Sequence, residues 1–65
     1  MSTTETTVLV IKLPGRFKAI VGESTAYGDY ATTAARTAAA AHFGVPEAQI
    51  EIEPVNATLT ARVRK

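Results

Sequence analysis

The sequence predicts an α+β domain: a ββαββ two-layer sandwich, with one helix packed on a four-stranded, mostly antiparallel sheet. Three observations carry this reading. Four segments read as strands, the first apolar on both faces and the last two alternating apolar and polar residues with a period of two. One alanine-rich segment of about fourteen residues lies between the second and third of them and ends on a sharp stop signal. The chain has 65 residues, enough for one domain and no more.

The elements follow in order. Residues 1–6 are polar and are expected to form a frayed tail, with the domain spanning 7–65. "TVLVIKL" predicts a strand in which Val8, Val10 and Lys12 point one way and Leu9, Ile11 and Leu13 the other. Both faces are apolar until Lys12. Such a strand sits centrally in its sheet or has its second face covered. Pro14 followed by Gly15 suits a type II turn, in which Gly supplies the positive φ. "RFKAIVG" then predicts a second strand, with Phe17, Ala19 and Val21 on one face and Lys18 and Ile20 on the other.

"GESTAYGD" interrupts the alternation, and Asp29 offers a side-chain oxygen for an N-cap. A helix is expected from about Tyr30 to Phe43. Gly44 stands where a left-handed C-terminal residue belongs, and Pro46 forbids continuation. In "AQIEIEP", Ile50 and Ile52 point inward and Glu51 and Glu53 outward, with Pro54 marking an edge or a strand end. In "TLTARVRK", Leu59, Ala61 and Val63 point inward. Glu51 and Glu53 are therefore expected to pair with Arg62 or Arg64 on the solvent face.

Composition narrows the function. There is no cysteine and a single histidine, His42. That set excludes disulfides and a zinc site built from cysteine and histidine. No cofactor is expected. The N-terminus lacks the basic and apolar regions of a signal peptide, and no apolar run could span a bilayer. A soluble, cytoplasmic protein is the expectation. Seven basic and six acidic residues give a net charge of +1, too balanced for attraction of the whole molecule to nucleic acid.

No constellation points to catalysis. His42 is the one side chain suited to neutral-pH proton transfer, but in the last helical turn it reads as a capping or packing residue. Ser2 lies in the tail, and Ser24 lacks the context of an activated nucleophile. Glycines 22 and 28 fit neither a dinucleotide fingerprint nor a phosphate-binding loop. The chain is read as a non-enzymatic protein.

The helix is the unusual segment. At 100° per residue, Tyr30, Ala34, Thr37, Ala38 and Ala41 gather on one side, and Thr32, Arg36, Ala39, Ala40 and Phe43 on the other. Neither side carries the charges of an ordinary surface helix. A small domain also buries only about 60% of its surface and often gains stability by association. The leading expectation is thus an interaction module that self-associates, with a dimer favoured, and that binds or inhibits another protein. The contact would use the Ala-rich helix or an exposed strand. Thr32, Arg36, Ala39, Ala40 and Phe43, with Tyr27 and Tyr30, are the expected partner-facing residues, since tyrosine is enriched at interaction hot spots. The alternative is a small nucleic-acid-binding protein using Lys18, Arg62, Arg64 and Lys65 on a basic sheet face and C-terminus.

Overall fold

The computed structural model describes residues 5–55 and 58–63. Among the described residues, five strands and one α-helix follow in the order β1 (Glu5–Leu13), β2 (Arg16–Val21), β3 (Ser24–Gly28), α1 (Ala31–Phe43), β4 (Ile50–Val55) and β5 (Thr58–Val63), with a 3-10 turn at Glu47–Gln49. The sheet order is β3-β2-β1-β5-β4, and every neighbouring pair is antiparallel. The α+β class and the helix-on-sheet layering agree with the expectation, but the sheet has five strands rather than four. Of the segment expected as a tail, Glu5 and Thr6 belong to β1 and register with Arg62 and Ala61.

The added strand is β3. Its five residues, STAYG, follow Gly22 and Glu23 and end on Gly28, and they look like a loop in isolation. They form a strand because β2 supplies the partner: Val21 registers with Ser24 across a two-residue turn, Ala19 with Ala26 and Phe17 with Gly28. The first hairpin turns as predicted. Leu13 registers with Arg16, and Gly15 takes a φ of 75°.

β1 is the central strand, third of five; the helix covers the face that carries Val8, while Leu9 and Ile11 on its other face are exposed. β3 and β4 are the edges, and Pro54 sits in β4, where a missing N–H disturbs no second ladder. The helix leaves one edge strand and leads to the other, lying mainly over β2 and β3.

The core between the layers is thin. It consists of Val8, Ala19, Val21, Ala26, Ile50, Ala61 and Val63 from the sheet and Ala34, Ala35, Ala38, Ala39 and Ala40 from the helix. Valines are the largest side chains that are wholly buried. Small side chains allow close approach of the two layers. Gly28 shows how close: a Cβ built there would lie 3.1 Å from the backbone nitrogen of Ala34 and 3.3 Å from its Cα and Cβ.

The helix ends differ in how well the sequence announced them. Its C-terminus is as expected. Gly44 is left-handed (φ 71°, ψ 35°), and the N–H groups of Gly44 and Val45 both donate to the carbonyl of Ala40, at 2.8 and 3.1 Å. The N-terminus is not capped by Asp29. Tyr30 holds the N-cap position in an extended conformation, with no side-chain hydrogen bond, and its carbonyl accepts from the N–H of Ala34 at 3.0 Å.

The helix also divides differently from the wheel expected of it. Ala39 and Ala40 are buried within this chain and Phe43 packs on the same core, so these three do not form a free partner-facing side. Ala34 and Ala38, from the opposite group, are buried as well. The water-facing strip runs through Thr33, Thr37 and Ala41, with Thr32 beside it. Alanine on both sides gave the sequence no contrast by which to orient the helix.

Candidate functional site

Because strand residues alternate between faces, burying Val8, Ala19, Val21, Ala26 and Ala61 under the helix turns a defined second set away from it. β3 presents Thr25 and Tyr27; β2 presents Arg16, Lys18 and Ile20; β1 presents Thr7, Leu9, Ile11 and Leu13. β5 presents Thr58, Thr60 and Arg62, and β4 presents Glu51 and Glu53. None of the described helix or turn residues covers this face.

Register turns these residues into rows across the sheet. Leu9 lies beside Ile20, and Ile20 beside Thr25. The next row is Ile11, Lys18 and Tyr27, and Leu13 lies beside Arg16. Leu9 and Tyr27 are each 53% exposed and Ile11 37% exposed. Two large apolar side chains on β1 and one on β3, with Lys18 of β2 between Ile11 and Tyr27, therefore meet water on this face. Scattered single apolar residues are ordinary on a protein surface, whereas contiguous ones mark contact sites.

Charge on this face is divided along a diagonal. Arg16 and Lys18 stand on β2 toward the first hairpin turn, and the Arg16 guanidinium carbon lies 4.8 Å from the centre of the Tyr27 ring. That distance is within the range of a cation–π contact. Glu51 and Glu53 stand on β4 at the opposite corner. Arg62, registered opposite Glu51, donates from Nη2 to Glu53 Oε2 at 2.8 Å. The expected cross-strand pair thus forms on the diagonal between Arg62 and Glu53. It is solvent-exposed, which places its contribution at about 0–1 kcal/mol.

The residues singled out from the sequence do not converge on one site. Tyr27 is on the open sheet face. Tyr30, 72% exposed, stands at the helix N-terminus, and Thr32 and Arg36 lie on the helix. Lys18 and Arg62 share the open face but are separated by β1, and Arg62 is engaged with Glu53. Arg64 and Lys65 lie outside the described residues. His42 packs its ring edge-on against Phe43 at 5.0 Å and stands over Gly22, where a Cβ would come within 2.5 Å of its Cε1.

The grouping of Leu9, Ile11, Ile20, Lys18, Arg16 and Tyr27 was not anticipated. Its apolar half was visible in the doubly apolar first strand. Its aromatic member, Tyr27, was among the expected partner-facing residues, but its place on the sheet face was not visible because the segment was read as loop.

The described residues enclose no pocket, and none of their histidine, aspartate and glutamate side chains form a group of three able to hold a metal ion. None of the described helices is long and apolar enough to cross a membrane. No protein-family model, no curated protein and no solved structure matches this chain.

Proposed function

We propose that this chain is a non-enzymatic interaction module that works by self-association, and that the open face of its sheet is the contact surface. The observation that carries the reading is the exposed group of Leu9 and Ile11 on β1 and Tyr27 on β3, on the same sheet face with β2 between them. The thin core supports it. A small domain whose largest wholly buried side chains are valines gains stability by mass action when a partner covers further apolar surface. Sedimentation velocity of the full chain between 1 and 200 micromolar, roughly the range in which such weak dimers form, tests the reading. A concentration-dependent dimer that Leu9→Glu abolishes is the expected result. A chain that stays monomeric throughout, or a dimer indifferent to Leu9→Glu, would refute it.

A second reading is favoured by the placement of Tyr27 beside Arg16 and Lys18. A ring for base stacking next to two cations is the minimal arrangement for holding a single-stranded nucleic acid. Binding of a fluorescent oligonucleotide that weakens steeply with salt, and that Tyr27→Ala removes, would favour it. Unchanged anisotropy at low salt would dismiss it.

A further inference from the structure

We propose that the outer edge of β3 is a second self-association contact, at which two copies of this chain pair β3 against β3, antiparallel, about a two-fold axis at Ala26. This goes beyond the open-face reading, because it uses the backbone of an edge and not the side chains of a face.

The direction of each backbone group follows from the turns. A two-residue hairpin turn is closed by a pair of residues that exchange both N–H···O bonds, and bonded pairs then alternate with non-bonded ones. Leu13 and Arg16 close the first turn, so Arg16, Lys18 and Ile20 bond to β1. That leaves Phe17, Ala19 and Val21 to bond to β3. Val21 and Ser24 close the second turn and give the same assignment independently: Ser24, Ala26 and Gly28 bond to β2. The N–H and C=O groups of Thr25 and Tyr27 therefore point outward. β3 is an edge strand, and among the described residues no turn, loop or cap backbone bond reaches Thr25 or Tyr27.

The other edge is closed to such pairing. Val55 registers with Thr58, so by the same alternation Ile52 and Pro54 turn outward from β4. Pro54 has no N–H to give. β3 contains neither a proline nor a charged residue, and so lacks the devices that blunt a free edge.

An extended strand fits the edge of β3, and β3 is itself such a strand. Paired about Ala26, Thr25 meets the partner's Tyr27, and Tyr27 meets the partner's Thr25. All of these residues point their backbone groups outward, so each pair exchanges both N–H···O bonds. Ala26 and the partner's Ala26 form a non-bonded pair about 4.5 Å apart, and their methyl groups are small enough for that spacing. A register shifted by one residue sets outward groups against inward ones and loses the bonds. On the open face each Tyr27 ring lies across from a threonine, an aromatic and β-branched pair of the kind that stabilises antiparallel strands.

Two five-stranded sheets thereby become one continuous sheet. The seam is short, and Glu23 and Asp29 bring like charges to its ends. It forms at about 1 mM, weaker than a contact through a whole face. A dimer joined through its open faces still carries two β3 edges, so the two contacts together carry assembly beyond the dimer.

Amide hydrogen exchange in the Leu9→Glu chain, which removes the open-face contact, tests the edge. Protein at about 0.1 mM and about 2 mM brackets the contact. Ser24, Ala26 and Gly28 are expected to exchange slowly at both concentrations. Thr25 and Tyr27 are expected to exchange fast when dilute and about threefold or more slower when concentrated. Sedimentation equilibrium should show a dimer growing over the same range. Thr25→Pro removes an outward N–H and leaves the ladder to β2 intact. It should keep Ala26 protected, abolish the concentration dependence at Tyr27 and hold the chain monomeric. If circular dichroism shows that this variant is unfolded, Thr25→Lys, which adds a charge to the edge, takes its place.

Thr25 and Tyr27 exchanging at the same rate at both concentrations, in a folded chain, overturns the edge contact and leaves the open-face reading standing. A dimer that survives Leu9→Glu below about 0.2 mM and is lost with Thr25→Pro sinks the open-face reading and supports the edge.

Discussion

Gly28→Ala isolates the feature on which the two layers depend. The glycine ends β3 where the first turn of the helix crosses it, so the perturbation adds one methyl at the closest approach of strand and helix. That methyl would meet the nitrogen of Ala34 at 3.1 Å and its Cα and Cβ at 3.3 Å. Ordinary carbon contacts lie at about 3.5–4.0 Å. Two of the three opposing atoms are helix backbone, so a side-chain rotation cannot relieve the contact, and the helix must shift by a few tenths of an ångström.

Overpacking of this kind costs about 1–3 kcal/mol. Loss of glycine's freedom in the unfolded chain returns about 0.4–1 kcal/mol. The net expectation is a destabilisation of about 1–2 kcal/mol, which in a domain of this size lowers Tm by roughly 5–15 °C. Thermal and urea unfolding followed by circular dichroism measure it, at a protein concentration held constant so that association does not shift the midpoint. An unchanged or raised Tm would refute the close approach of helix and sheet as a determinant of stability.

Three further outcomes follow from the same physical picture. Val8→Ala removes two methyl groups from a wholly buried site on the central strand and should cost about 2 kcal/mol by urea unfolding. A cost below about 0.5 kcal/mol would mean that the thin core collapses around the gap. Arg62→Ala breaks the exposed pair with Glu53; its effect should stay under about 1 kcal/mol and shrink in 1 M salt. Thr37→Lys, on the water-facing strip of the helix, should change neither stability by more than about 0.5 kcal/mol nor the state of association, as measured by unfolding and sedimentation.

The legible parts of the fold were those whose cause is local. Gly44 followed by Val45 and Pro46 ends the helix through backbone conformation and a missing N–H, both properties of the residues themselves. The alternation in 50–53 and 59–63 showed which side chains face the helix, and the apolar residues on both faces of 8–11 placed β1 at the centre. What stayed hidden depends on partners outside the segment itself. Ser24–Gly28 is a strand because β2 offers an edge; Thr25 and Tyr27 suit a strand, but the segment is short and bounded by glycines. Tyr27 could not be placed on the open face until β3 was known. The helix resisted orientation because alanine recurs at 34, 35, 38, 39 and 40, where burial is chosen by proximity to the sheet rather than by contrast in hydrophobicity. Asp29 stands one residue before the N-cap that forms, a shift within the fraying of helix ends.

The most direct measurement is a dilution series of two-dimensional 15N–1H correlation spectra of the wild-type chain. Self-association through the open face predicts concentration-dependent shifts at Leu9, Ile11, Lys18, Ile20 and Tyr27, with Thr33, Thr37 and Ala41 on the helix unmoved. Shifts confined to the helix strip, or no dependence on concentration at any residue, would contradict it.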